Sequence, residues 1–497
     1  MSNSVDRGVD RGADRGAGGA AITAIILAAG VGKRMKSSRA KVLHELGGRP
    51  MIAHVLASVR GAGAARTVAV IGHDRESVSA VIGDCDPECM LTVQEEQRGT
   101  GHAVQIALAA FDAPPEGIVL VTYGDVPLLT AQTLGELVGV HRSAGNAVTI
   151  LSAELDEPSG YGRILRDGHG AVTAIREDAD ADAAERAIRE VNSGILAVDG
   201  KFLADAVNRL SPDNAQGELY LTDIVGLAVG DGLPVGAHVL EDVWQTEGVN
   251  DRAQLARLGR ELNRRLTAHW MREGVTIVDP ETTWIDSAVT LAEDVILYPG
   301  TQLLGATTVG RGAEIGPDTT LRNVEVGVEA TIVRTQGNDA IVGDRACVGP
   351  FSYLRPGTEI GEGGKIGTFV EAKNTRIGAG AKVPHLSYVG DADIGDGANI
   401  GAGSITANYD GVEKHRTTVG KDARTGSGNV FVAPVTVGDG AYTGAGTVVR
   451  DDVPPGALSV IPVPQRTMGG WVQANRAGTP AAESAAAAAQ DQDDVDE

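Results

Sequence analysis

The sequence predicts a doubly wound, Rossmann-like α/β domain, then a long helix, then an all-β domain that winds as a parallel β-helix of hexapeptide repeats. Three observations carry this. Residues 21–250 alternate short apolar runs with amphipathic helical stretches. Residues 251–273 form one polar-rich helical stretch. After Gly274, units of about six residues recur, many with an aliphatic residue followed by Gly, as in VGRGAE, IGPDTT, IGAGAK and IGDGAN.

In chain order, residues 1–20 carry VDRG, VDRG and ADRG, which offer nothing to bury, so a disordered extension is expected. Ala24–Ala29, Thr67–Ile71, Gly117–Thr122 and Ala147–Leu151 read as buried strands. Pro50–Val59, His102–Ala110 and Thr130–His141 read as the helices between them. Such alternation implies a mostly parallel sheet with its ligand at the carboxyl ends of the strands. In the stretch 251–273, Leu255, Leu258, Leu262 and Leu266 make a narrow stripe suited to an arm packed on one side. The repeat spans 274–470. Its aliphatic residues point into a triangular coil, and Gly with small polar residues turns the corners. At three hexads per coil this gives roughly ten coils. One interruption, NYDGVEKHR (408–416), is expected as a surface loop. Residues 471–497, Ala-rich and then Asp-rich, are expected to be largely disordered.

Composition excludes several classes. Of 497 residues, 42% are hydrophobic and 67 are Gly, ample for a core and far from a disordered chain. Aromatic residues are only 3%, as a narrow prism with little room for rings requires. The net charge of −23 argues against nucleic acid or an anionic membrane as partner. No apolar run reaches membrane-spanning length, and Met1–Gly19 lacks the apolar segment of a secretory signal. Cys85, Cys89 and Cys347 are too few for a disulfide scaffold and lack zinc-site spacing. A cytoplasmic location fits all of this.

An acidic protein binds anionic ligands only where local cations oppose its overall sign, and two such places occur. The first strand runs into LAAGVGKRMKSSRAK (27–41). Ala28, Ala29, Gly30 and Gly32 are small enough for backbone N–H groups to approach phosphates, and Lys33, Arg34 and Lys41 add charge. This is neither a Walker A loop nor a dinucleotide fingerprint, because Met35 stands where the third Gly would be and no Ser or Thr follows Lys33. Asp125, in VTYGDVPLL just beyond a buried strand, is placed as a Mg²⁺ ligand, and Asn250 can supply a second oxygen. In the repeat, Arg355, Lys373, His385, Tyr388, Asn399, Asn408, Tyr409 and Lys414 lie one coil or less apart. Arg355 and Lys373, eighteen apart, stack directly and suit a sugar phosphate. His385 offers an imidazole, the side chain most often used as a general base. A three-histidine metal site is excluded, since the prism holds only His385 and His415.

The motifs LAAG-x-G-x-RM…K, Q-x-E-x-x-GTGHA (94–103), YGD-x-PL, GYGRI (160–164) and ELYLTD (218–223) together resemble the sugar-nucleotide pyrophosphorylases. With the hexads, nearly the whole chain is similar to one family, the bacterial bifunctional N-acetylglucosamine-1-phosphate uridyltransferases and glucosamine-1-phosphate N-acetyltransferases. The resemblance implies a nucleotidyltransferase domain followed by a left-handed β-helix. It implies that Leu27, Ala28, Ala29 and Gly30 contact a uridine nucleotide and that Lys41 binds its phosphates. Gln94, Gly99 and Thr100 would read uracil, and Tyr123, Gly162, Glu177 and Asn192 would contact the sugar. Asp125 and Asn250 would hold Mg²⁺, and Lys41 and Arg34 would neutralise charge during uridylyl transfer from UTP to N-acetylglucosamine 1-phosphate. On the prism, Arg355, Lys373, Tyr388, Asn399 and Lys414 would hold glucosamine 1-phosphate, with His385 as general base. Asn408 would orient the substrate, and the backbone N–H of Tyr409 would stabilise the oxyanion. Ala402, Asn408, Tyr409, Ser427 and Ala445 would contact acetyl-CoA. A homotrimer acting only on small molecules is implied. The sequence departs from the family pattern at Lys33 (usually Thr), at Ala40 (usually Pro) and at Pro462, where some members carry a basic residue. The alternative is a nucleotidyltransferase whose β-helix is purely structural or regulatory.

Overall fold

A computed structural model of the chain describes residues 21–461 and 465–493. The expected extension at 1–20, and Pro462, lie outside these residues. The chain divides into two compact units, residues 1–340 and 341–497.

The first unit contains a nine-stranded sheet: β1 (Ile22–Ala28), β2 (Arg66–Ile71), β3 (Met90–Val93), β4 (Ile118–Tyr123), β5 (Val148–Glu154), β6 (Arg163–Arg166), β7 (Val172–Arg176), β8 (Glu190–Asp199) and β9 (Val235–Leu240). The order along the sheet is β9-β5-β8-β4-β1-β2-β3, with β6 on β8 and β7 on β6. β1 is parallel to β2 and β4, β2 to β3, and β9 to β5. β8 runs antiparallel to both neighbours, β4 and β5. All seven residues of β1 are buried. Helices on both faces explain this, because such a strand has no solvent side. One face packs Ile52, Val55, Leu56, Val59, Leu134 and Leu137. The other packs Val104, Ala107, Leu203, Ile224 and Val225. The chain leaves β1 toward β2 and later returns to β4 on its other side, so the crevice at the carboxyl ends of β1 and β4 is the switch point.

The helix Arg252–Arg272 starts at Asp251, whose side chain accepts from the Gln254 N–H at 2.8 Å. Of the expected leucine stripe, Leu258 is buried and Leu255 and Leu262 pack beside it. The helix also buries Asn263, which donates to the Thr283 carbonyl at 2.8 Å and accepts from the Ile285 N–H at 3.0 Å. The first coil is thereby locked to the helix, and the Ser287 N–H donates to Gly47 at 2.9 Å. These bonds explain why the first unit runs past the helix into the repeat.

The repeat is a parallel solenoid. Trp284 pairs with Gln302 and Gln302 with Thr320, one coil per eighteen residues. In the second unit, Tyr353 pairs with Glu371, Glu371 with Tyr388 and Tyr388 with Ile405. Val383, Val389 and Ile394 fill one coil interior. The step from Ile405 to Val430 is longer because it contains the expected surface loop, a small hairpin in which Tyr409 bridges Lys414.

The tail, expected to be largely disordered, carries two helical segments among its described residues, Trp471–Asn475 and Pro480–Asp493. Alanine is the strongest helix former, and proline suits a first helical position. Thr479 caps the second helix, accepting from the Ala482 N–H at 3.4 Å through its hydroxyl and from the Glu483 N–H at 3.1 Å through its carbonyl.

Candidate functional sites

A cavity of about 290 Å³ opens at the carboxyl ends of β1 and β4. Leu27, Ala28, Ala29, Gly30, Lys41, Gln94, Gly99, Thr100, Tyr123 and Asp125 all line it. The turn after β1 owes its shape to Gly32, which has φ +64° and whose missing Cβ would meet the Lys41 Cβ at 2.7 Å. Lys41 is thereby held against the turn. Its Nζ lies 2.5 Å from Asp125 Oδ2 and 3.4 Å from Asn250 Oδ1, all largely buried. The loop carrying Asn250 is tied to the same carboxylate segment, because the Val249 N–H donates to the Asp125 carbonyl at 3.0 Å. Ala40, at φ −55° and ψ 142°, keeps a proline-like conformation before Lys41.

The opposite wall is made by 94–100. Gln94 Nε2 donates to the Gly99 carbonyl at 3.2 Å. Gly99 has φ +104° and lies against Leu219, and Thr100 Oγ1 accepts from the Leu221 N–H at 3.1 Å. Among the residues expected to contact the sugar, the Asn192 N–H donates to the Gly162 carbonyl at 2.8 Å, and Glu177 accepts from the Thr222 hydroxyl at 2.8 Å. Burial, with Glu177 and Asp125 nearby, pushes the Tyr123 phenol above its ordinary value. Burial also raises the Glu177 carboxyl, assisted by Asp223, Asp180 and Asp178. Arg34 stands exposed on a single 3-10 turn, outside the cavity wall. Sequence reasoning missed Gln97, whose Nε2 donates to the Ala29 carbonyl at 2.7 Å, and Glu218, both in the wall. Gln97 lies three residues from Gln94 in the same polar run, and nothing in the spacing separates them.

In the second unit two groupings occur. Around the carboxylate of Asp391 gather Lys373, Asn374 and Asn408, with Tyr388 Oη 3.5 Å from Asn408 Nδ2. Lys373, pressed beside Lys414, lowers the ammonium pKa of Lys414, and Arg355 adds to this. Arg355 pairs with Glu371 at 2.8 Å. Arg355, Lys373, Tyr388, Asn408 and Lys414 are thus brought together, and Asp391 and Glu371, which the sequence did not single out, stand among them. Asp391 reads in sequence as an ordinary corner residue of a hexad.

The second grouping is a column along one corner. The Gly403 N–H donates to the His385 carbonyl at 3.1 Å, Gly428 to Ala402 at 2.7 Å, and Gly446 to Ser427 at 2.8 Å. His385, Ala402, Ser427 and Ala445 therefore occupy successive rungs. His385 is exposed, pairs with Thr368 and follows the face that carries Asn399, which bridges Lys382 and Arg424. Neither His385 nor Asn399 makes a side-chain hydrogen bond to the Asp391 grouping among the described residues. Tyr409 is exposed beside Asn408, its hydroxyl on the Gly411 carbonyl at 2.7 Å.

Fold and sites define a class: a nucleotidyltransferase domain joined to a hexapeptide-repeat solenoid with its own polar site. Residues 24–193 match the MobA-like NTP transferase domain family. The chain is 57% identical to the bifunctional protein GlmU of Paenarthrobacter aurescens over 93% of this chain and 94% of that protein. It is 56% identical to that of Corynebacterium aurimucosum over 93% and 96%. It is 57% identical to that of Rhodococcus opacus over 93% and 94%. The chain belongs to the GlmU family of bifunctional proteins. It is an enzyme, both a nucleotidyltransferase and an acetyltransferase.

Proposed function

We propose that the chain makes UDP-N-acetylglucosamine in two steps on two separate centres. The carrying observation is that one chain presents a cavity walled by Lys41, Asp125 and small residues and, on its other unit, a cation grouping with a separate column headed by His385.

On the prism, Arg355, Lys373 and Lys414 would bind the phosphate of glucosamine 1-phosphate, with Tyr388 and Asn399 on the sugar. His385 takes a proton from the amine, whose nitrogen attacks the thioester carbonyl of acetyl-CoA. The backbone N–H of Tyr409 stabilises the oxyanion. The C–S bond breaks, and the thiolate recovers the proton from the imidazolium. Acetyl-CoA would extend along Ala402, Ser427 and Ala445, a reading supported by their stacking in line with His385.

In the first unit, a phosphate oxygen of N-acetylglucosamine 1-phosphate attacks the α-phosphorus of UTP and expels pyrophosphate. No general base is needed, because the attacking oxygen is already anionic. Leu27–Gly30 and Lys41 would cradle the phosphates, with Arg34 adding positive charge to neutralise them. Gln94, Gly99 and Thr100 would face uracil, and Tyr123, Gly162, Glu177 and Asn192 the sugar. The fit of Asp125 and Asn250 to Mg²⁺ is supported by the Lys41 ammonium, a cation already seated between their oxygens. Mg²⁺, when bound, supplies charge neutralisation for the phosphates.

A homotrimer is supported by exposed Phe351, Phe369 and Leu386, which stack beside the His385 column with the two rings 5.4 Å apart. Among the described residues no helix is long and apolar enough to cross a membrane, and we place the enzyme in the cytoplasm. The test is incubation with glucosamine 1-phosphate, acetyl-CoA, UTP and Mg²⁺. Free thiol and pyrophosphate should both appear. Pyrophosphate only when N-acetylglucosamine 1-phosphate is supplied would reduce the prism to a scaffold.

A further inference from the structure

We propose that Asp391 is a positioning residue of the acetyl-transfer centre, fixing the Asn408 amide and the Lys373 ammonium for the amino-sugar phosphate. This rests on the acetyl-transfer reading of the prism.

Asp391 is 5% exposed and turns a coil corner at φ +48°, a conformation that Asp and Asn tolerate best. Its Oδ1 accepts from Asn374 Nδ2 at 2.6 Å. Its Oδ2 accepts from Asn408 Nδ2 and from Lys373 Nζ, the latter at 3.4 Å. Three side chains, two from the preceding coil and one from the hairpin, thus converge on one carboxylate. Burial by itself would raise this carboxyl, but donation by Asn374 and Asn408 and the charge of Lys373 outweigh it and hold it below the usual range.

Three other aspartates of the prism are used differently. Asp396 accepts from the Ala379 N–H at 2.9 Å, Asp439 from the Lys421 N–H at 2.7 Å, and Asp452 from the Thr436 N–H at 2.7 Å. Those carboxylates tie a backbone corner to a neighbouring coil. The Asp391 hydrogen bonds go to side chains instead, and two of the three belong to residues of the candidate sugar-phosphate site.

Two consequences follow from chemistry alone. An ionised carboxylate only accepts, so Asn408 must turn its Nδ2 toward Asp391 and present its Oδ1 the other way, as an acceptor for an amine N–H. Asp391 also places a buried negative charge beside Lys373, and that charge acts on the Lys414 ammonium against the lowering by Lys373. That charge offsets the repulsion of two ammonium groups brought together before any phosphate arrives. An Asn at 391 keeps the corner conformation and the size but loses the charge, and one of its two polar ends becomes a donor facing Asn374 or Asn408.

The experiment compares wild type, D391N and D396N, with acetyl transfer, uridylyl transfer and thermal melting measured on each full chain. For D391N we expect the KM for glucosamine 1-phosphate to rise at least about tenfold and kcat to fall about tenfold. The KM for acetyl-CoA should stay within about twofold of wild type, and uridylyl transfer should be unchanged. D396N removes a corner tie of the ordinary kind and should leave both KM values alone. Equal sugar-phosphate KM and kcat in D391N and wild type, or a D396N profile matching that of D391N, would overturn the proposal. Should D391N fail to fold, N374A frees the same carboxylate from its other side. A rise of about threefold in the sugar-phosphate KM is then expected, and an unchanged value overturns the idea. A wild-type chain that does not acetylate glucosamine 1-phosphate sinks the underlying reading instead, a result that no Asp391 variant can mimic.

Discussion

The ammonium of Lys41 lies 2.5 Å from the Asp125 carboxylate and within 3.4 Å of the Asn250 amide oxygen, with both ion-pair side chains largely buried. A buried cation between two oxygens is strongly held, because removing either partner strands the other charge. Lys41→Ala should therefore lower uridylyl transfer by about a hundredfold or more, the scale of losing an oriented charge in a transition state. Acetyl transfer on the same preparation should be untouched. A loss of both activities in a chain that still melts cooperatively would break the separation of centres.

Gly99 carries the wall opposite Lys41. At φ +104° an L side chain is strained, and a Cβ there would lie 2.6 Å from the Leu219 carbonyl oxygen. Gly99→Ala must push the 94–100 segment away from Leu219, breaking the geometry in which Gln94 donates to Gly99. A stability loss of about 1–3 kcal/mol is expected from the strain. The KM for UTP should rise more than that for the sugar phosphate. Chemical denaturation and two-substrate kinetics check the two effects separately.

The sequence made the alternation of the sheet and the hexad period plain, since both are periodic signals that burial enforces over many residues. It did not show that β8 runs antiparallel, because a buried strand reads alike in either direction. The tail helix is not legible from hydrophobic periodicity, because alanine favours a helix without marking a buried face. Among candidate site residues, those with motif neighbours, such as Asp125 in YGD or Lys41 after the LAAG turn, were legible as candidates. Asp391 was not, because its role depends on three partners brought in by stacking, and no local spacing reports that.

Glu177 gives a pH test. Its carboxyl is raised by burial and neighbouring acids, so the folded state binds its proton more tightly than the unfolded chain does. Stability from this group is present at low pH and falls as pH rises past the ordinary carboxylate value. Glu177→Gln keeps an acceptor for the Thr222 hydroxyl and removes the penalised charge. The variant should melt higher than wild type near about pH 7–8, and the gap should close toward about pH 4. Sugar-phosphate affinity should fall at the same time. A gap that widens on acidification would reverse the sign and refute the assignment.

His385 and Asp125 offer the sharpest pair of substitutions, because they belong to different units. The His385 carbonyl is already committed to the Gly403 N–H, so its backbone is held by the column while the imidazole stays exposed. His385→Ala thus removes only the ring, and it should cut acetyl transfer by about 10²–10⁴-fold, the range for a general base. Mg²⁺-dependent pyrophosphate release should persist. Asp125→Ala leaves Lys41 without its carboxylate, and it should abolish pyrophosphate release while thiol release continues. Reciprocal loss in this pair requires two independent reaction centres. Parallel loss in folded protein would mean that a single centre serves both transfers, and the column of His385, Ala402, Ser427 and Ala445 would then need another explanation.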